Sequence, residues 1–220
     1  MRVAISQPEH FPYLGYFQKM CACDLFVILD DVQFSGPRSF QNRNRYINSQ
    51  GEYTWFTVPV KKGSYFETII DVEVSVDEKW RKKLERKLLY DLKFRSFDKI
   101  YNFEKLVDIN MASIEYCREL FNIRVSMVKS SQLSVKGDKA EKIYNICRKL
   151  GASTYVAGLG SKNYMQSADF REIDVQYFYP CIPNYESSIV YTMKPDLVIS
   201  SFEKIKKNPL MYCMNDILDV

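Results

Sequence analysis

Val3-Ala-Ile-Ser-Gln-Pro-Glu-His-Phe-Pro-Tyr-Leu-Gly-Tyr-Phe17, continued by Asp24-Leu-Phe-Val-Ile-Leu-Asp-Asp-Val-Gln-Phe34, decides the fold of this chain. A short apolar run breaks at a Gln-Pro turn, a helical segment opens, and a second apolar run ends on paired acids. The order is strand, loop, helix, strand. In open α/β folds, ligands gather where the carboxyl end of a strand meets the amino end of the next helix, because unpaired backbone N–H groups and the helix dipole point to that edge. Function is expected first on the Gln7-Pro8 loop.

The rest of the chain extends this pattern. The spacing predicts a strand over 3–6, a helix near 14–23 and a strand over 25–29. A polar, irregular loop follows over 33–48, and the alternation of Tyr53-Thr-Trp-Phe-Thr-Val-Pro-Val60 marks a strand closed by a proline. Leu84, Leu88 and Leu92 form an apolar stripe on a helix opening at Asp77. A second helix is expected over 103–121, with Leu106, Ile109, Ile114, Cys117 and Leu120 inward. Residues 77–121 thus read as a helical insertion. Beyond it come a strand over 123–128, a helix over 138–150 capped by Gly151, and a strand over 153–158. The expected fold is α/β: a mostly parallel, Rossmann-like sheet of the nucleotidyltransferase or HUP kind with an added helical segment, in one domain spanning 1–220.

Composition narrows the function classes. With 220 residues, 46% of them hydrophobic, the chain can bury one sizeable core. No run approaches the roughly 20 apolar residues of a membrane-spanning helix, and no charged leader precedes an apolar core, so a soluble cytoplasmic protein is expected. The six cysteines lack paired metal spacing, and Cys21, Cys23, Cys117 and Cys147 fall at core positions. A net charge of +4 excludes a polyelectrolyte binder, although bases cluster at Arg38, Arg43, Arg45, Lys61 and Lys62. A second cluster, over 81–93, reads as a solvated helical face.

Several motifs together carry a resemblance. Gln7-Pro8, Pro12, Gly15-Tyr16-Phe17, Asp30-Asp31-Val-Gln33-Phe, Gln41-Asn-Arg43-Asn-Arg45, Val58-Pro-Val60-Lys-Lys, Ser130-Ser131 and Gly151-Ala-x-Thr154-Tyr-x-x-Gly158 occur in order. This pattern, over roughly residues 1–180, resembles the WbqC-like family. The resemblance implies work on activated sugars or their substituents in the assembly of surface glycans of the O-antigen type. The family's usual His-Gln-Pro is here Ser6-Gln7-Pro8. The carboxyl-terminal tail matches only loosely.

The candidate site residues follow from chemistry and position. His10 is the only histidine, so any imidazole base must be His10. Asp31 shares a side with Gln33 at a strand end and is the favoured acid or base, with Asp30 left to capping or solvent exposure. Gln41, Asn42, Arg43, Asn44 and Arg45 form a dense run of donors that suits phosphate and sugar hydroxyls, and Lys61 adds a cation. Gln7 and Gly15 lie on the first junction. Gly158, Ser161 and Lys162 form a second loop with permissive backbone, a hydroxyl and a cation. No metal site is expected.

These residues predict a transferase moving an acyl or aminoacyl group onto an activated amino-sugar or other amine. The substrate would bear phosphate, and the donor carrier would be coenzyme A or charged tRNA. The alternatives are a non-catalytic module binding phosphate or a nucleotide-sugar, and a nucleic-acid (tRNA) binder using Arg81 to Lys93 with Tyr90, Phe94 and Phe97. All rest on one geometric expectation: the early bend, the Arg-Asn run and the late glycines surround a single pocket.

Overall fold

The computed structural model describes residues 1–161, 170–180, 187–193 and 195–207. Five short strands build the main sheet: β1 (Arg2–Ser6), β2 (Leu25–Ile28), β5 (Ser126–Lys129), β6 (Thr154–Gly158) and β7 (Asp174–Phe178). Their order is β5-β2-β1-β6-β7, and every adjacent pair is parallel. The chain runs outward from β1 through β2 to β5, then returns to the other side of β1 for β6 and β7. Strand order therefore reverses between β1 and β6, and the fold is the expected Rossmann-like α/β sheet.

Alternation along these strands feeds two cores. Ala4, Phe26, Ile28, Val156 and Phe178 face one layer with α1 (Leu14–Cys21) and α4 (Leu106–Leu120). Val3, Ile5, Val27, Tyr155 and Ala157 face the other, where Ile143, Ile146 and Cys147 of α6 (Lys139–Lys149) meet them. Helix α1 is buried along its whole length and packs against α7 (Asp196–Lys207). Lys19, within α1, is thus a lysine in a helix with no solvent face.

The connection from β2 to β5 carries more than helices. It holds an antiparallel hairpin of β3 (Arg43–Ile47) and β4 (Tyr53–Thr57), then α2 (Lys79–Leu92), α3 (Phe97–Tyr101) and α4; the four-residue α5 (Ser130–Leu133) follows β5. Two sequence expectations change here. The segment over 43–47, read as irregular loop, is a strand, because buried Asn44 satisfies its amide on the carbonyls of Phe11 (2.9 Å) and His10 (3.2 Å). The helix expected over 103–121 begins at Leu106, and α3 precedes it as a separate turn.

Candidate functional site

The carboxyl ends of β1 and β6 open onto a cleft at the point where strand order reverses, the usual ligand crevice of such sheets. Three adjoining cavities make it up. An inner one of about 280 Å³ is lined by Ser6, Glu9, Gly15, Tyr16, Lys19 and Gly158, with Phe178 and Pro180 on its wall. A middle one of about 380 Å³ shares Ser6, Glu9, Lys19 and Gly158 and adds Gln7 and Ser161. An outer one of about 790 Å³ runs from Gln7 past Asp31 and Gln33 to Gly137, Lys139 and Lys142 at the start of α6.

The inner cavity holds the titratable chemistry. Burial raises the Glu9 carboxyl to about 7, against the opposing charge of Lys19. Burial likewise lowers Lys19 to about 8, with Cys23 and Glu9 opposing. The Lys19 Nζ donates to the Ile5 carbonyl at 2.7 Å and to the Ser6 Oγ at 3.0 Å, which fixes it at the end of β1. Tyr16 is buried, and its hydroxyl has no hydrogen-bond partner among the described residues. Its phenol stays protonated, because burial and the Glu9 charge both raise its pKa. Glu9, Tyr16 and Lys19 were not among the residues picked from sequence. The available signal was a lysine inside a helix whose other residues, Gln18 apart, carry no strongly polar side chain but a tyrosine hydroxyl.

The paired acids divide their work. Asp30 is fully buried and accepts from the Ser131 amide at 3.0 Å, the Ser131 Oγ at 2.8 Å and the Ser130 Oγ at 3.1 Å, which caps α5. Asp31 reaches the outer cavity, where Lys142 Nζ lies 2.8 Å from its Oδ2 and the Ser130 Oγ donates to its Oδ1. Gln33 lines the same cavity and donates to the Tyr65 carbonyl at 3.2 Å.

Other sequence candidates fall elsewhere. His10 is fully buried among Phe11, Phe56 and Tyr101, not beside the crevice, and its Nε2 lies 2.9 Å from the Tyr101 hydroxyl. Desolvation holds its pKa down at about 3, so the imidazole is neutral and walled off from the cleft. Asn42 is buried and donates to the Val58 carbonyl at 3.0 Å. Gln41 does reach the cleft wall, through Gln7. Arg43 and Arg45 point the other way, their guanidinium carbons 4.1 Å from the Trp55 ring centroid and 4.8 Å from that of Tyr53. Alternation explains this: Asn44 and Tyr46 take the buried face of β3, and the arginines take the other.

The expected convergence therefore covers Gln7, Gln41, Gly158 and Ser161 but not the guanidiniums. Lys61 is exposed and paired with Glu73 at 2.5 Å. Ser161 spends its hydroxyl on the Gly158 carbonyl at 2.6 Å, and Lys162 lies outside the described residues. Phe94 and Phe97, expected to offer stacking surfaces beside the basic helix, are buried. Burial pushes the thiols of Cys21, Cys23, Cys117 and Cys147 up to about 12, as befits core positions. Among the described residues no helix is long and apolar enough to cross a membrane.

Comparison with known proteins adds three findings. The chain is 28% identical over 191 residues to the uncharacterized protein Rv1507c of Mycobacterium tuberculosis (strain ATCC 25618 / H37Rv), covering 80% of each sequence. No solved structure matches it. The model of the WbqC-like protein family matches residues 7–193, a span that takes in the cleft loop after β1, the hairpin and β6, and the chain belongs to that family.

Proposed function

We propose that this protein is a transferase of surface-glycan biosynthesis that moves an acyl or aminoacyl group onto the amine of an activated amino-sugar. The observation that carries this reading is the inner cavity, where a carboxyl with a pKa near neutrality sits beside a buried lysine and a phenol without a hydrogen-bond partner among the described residues. A glycan setting is what the family resemblance implies.

An amine acceptor arrives as an ammonium ion and must lose a proton before it can attack. The Lys19 cation disfavours a second positive charge nearby, and the Glu9 carboxylate takes the proton. The amine lone pair then forms the C–N bond to the acyl carbonyl carbon, and the bond from that carbon to the carrier oxygen or sulfur breaks. The proton held on Glu9 goes to the leaving carrier, and the carboxylate so freed takes the second proton that the nitrogen sheds as the amide forms and releases it to solvent. Throughout, the Tyr16 hydroxyl is a fixed donor for the carbonyl oxygen as it gains charge. The outer cavity, with Lys142, Lys139 and the first turn of α6, takes the phosphate-bearing end of the acceptor. Asp31 holds Lys142 in place there rather than moving a proton.

Thermal-shift screening tests the acceptor class, since a ligand at 100 times its dissociation constant adds about 2.7 kcal/mol. Nucleotide-linked amino-sugars are expected to stabilise the protein. Adding acyl-coenzyme A or aminoacyl-tRNA should then give a product heavier by one acyl group on nitrogen. If no nucleotide-sugar shifts the melting temperature, the reading fails.

A further inference from the structure

The hairpin turns a second, unrelated surface to solvent. In the β3–β4 register, Arg45 stands opposite Trp55 and Ile47 opposite Tyr53, so these side chains share the face turned away from the core. Tyr53 is 56% exposed, Phe40 47% and Trp55 40%. Phe40 and Trp55 lie with ring centroids 6.4 Å apart and planes at 33°. Arg43 covers Trp55, and Arg45 covers Tyr53. Over 38–62 the sequence holds five basic residues and one acid, Glu52. Asp91, the acid from α2 that reaches the hairpin, is engaged by the Tyr46 hydroxyl at 2.7 Å.

We propose that this face docks single-stranded nucleic acid. Aromatic rings alternating with guanidinium groups on a twisted two-stranded ribbon supply both interactions that an unpaired strand offers: bases stack on ring or guanidinium planes, and phosphates meet positive charge. A duplex keeps its bases stacked on one another and offers the rings no open base face. The basic helix α2 offers one exposed ring, Tyr90 with the Lys93 ammonium over it, because Phe94 and Phe97 beyond it are buried, so it has no run of rings for successive bases. The inference is independent of acyl transfer in the cleft, which lies behind the opposite face of the hairpin.

Fluorescence anisotropy on the full chain tests it with a labelled 12-nucleotide RNA of mixed sequence, the same sequence as DNA, and the matching duplex. Single strands should bind at least tenfold more tightly than duplex, and the better of RNA and DNA names the natural source. Tyr53→Ala or Trp55→Ala should each raise Kd roughly 5- to 100-fold, while Trp55→Phe retains most of the affinity. Replacing Arg43 and Arg45 together by Ala should reduce the log–log salt slope by about 1.4. Arg86→Ala, on exposed α2 surface, should change nothing. Binding that ignores the aromatic substitutions in variants with unchanged melting would overturn the proposal, as would equal affinity for duplex. So would a dimer in light scattering that Trp55→Ala dissociates.

Discussion

The Gln41 Nε2 donates to the Gln7 Oε1 at 2.7 Å, and the Gln41 Oε1 in turn accepts from the Ser35 amide at 2.8 Å. One carboxamide thereby ties the loop leading into the hairpin to Gln7, which lines both the middle and the outer cavity. Gln41→Ala should cost about 1–2 kcal/mol of stability, as a buried hydrogen-bonded amide is lost. It should also weaken binding of nucleotide-sugars roughly tenfold. Urea unfolding and thermal shift with ligand read the two effects separately.

Glu9 sets the pH behaviour of the cleft. Rate should rise with pH as Glu9 deprotonates near 7 and fall again as Lys19 loses its charge near 8, a narrow bell. Glu9→Gln should remove the acid arm and lower kcat by about 10²–10⁴-fold. Stability moves oppositely to the acid arm. The folded state keeps the Glu9 proton up to about 7, whereas the unfolded chain releases it near 4.5, so this contribution is full below 4.5 and is lost as pH rises to 7. In Glu9→Gln that falling limb should be absent from the urea-midpoint profile.

His10 has the reverse sign. Folded, it takes a proton only near pH 3, whereas the unfolded chain takes one near 6.5. Its stabilisation is therefore present above 6.5 and is lost as pH falls toward 3. His10→Phe fills a similar volume and should flatten stability across that window, leaving activity at pH 7.5 within a fewfold of the parent. A loss of 10³-fold with an intact fold would return the imidazole to the chemistry.

Gly15 fails as a site for any side chain. A Cβ there would stand 2.2 Å from the Tyr13 ring and 2.7 Å from the Pro180 Cβ, both on the wall of the inner cavity. Gly15→Ala should cost about 1–3 kcal/mol through overpacking. Denaturant titration should show a lower midpoint with an unchanged slope.

Much of the architecture was legible because apolar runs of four or five residues between helical periods permit little else than a parallel sheet. Strand alternation also set Asp31 and Gln33 on one side, where both line the outer cavity. The arginines misled because a run without apolar residues looks like loop. Nothing local announces that Asn44 will find two carbonyls from residues 10 and 11 and so tolerate burial in a strand. His10 drew attention by being the only one of its kind, and Glu9 beside it was passed over. A carboxyl's perturbation depends on what buries it, and Glu9 shares its cavity with Gly158 and Phe178, which no sequence window around residue 9 contains.

The segment after β1 is held by partners drawn from the whole chain. The Pro8 carbonyl accepts from Asn110, the His10 amide bonds the Phe40 carbonyl, the Phe11 amide reaches Ser113, and the Phe11 carbonyl accepts from both Asn44 and Ser187. Those partners lie from about thirty to 176 positions away in sequence. Contacts of such separation form late in folding, after the loops between them have been closed. The crevice is therefore organised only once distant parts of the chain have met, and a chain shortened before Ser187, which also lacks α7, should retain its other helices and strands yet have no organised place for a ligand.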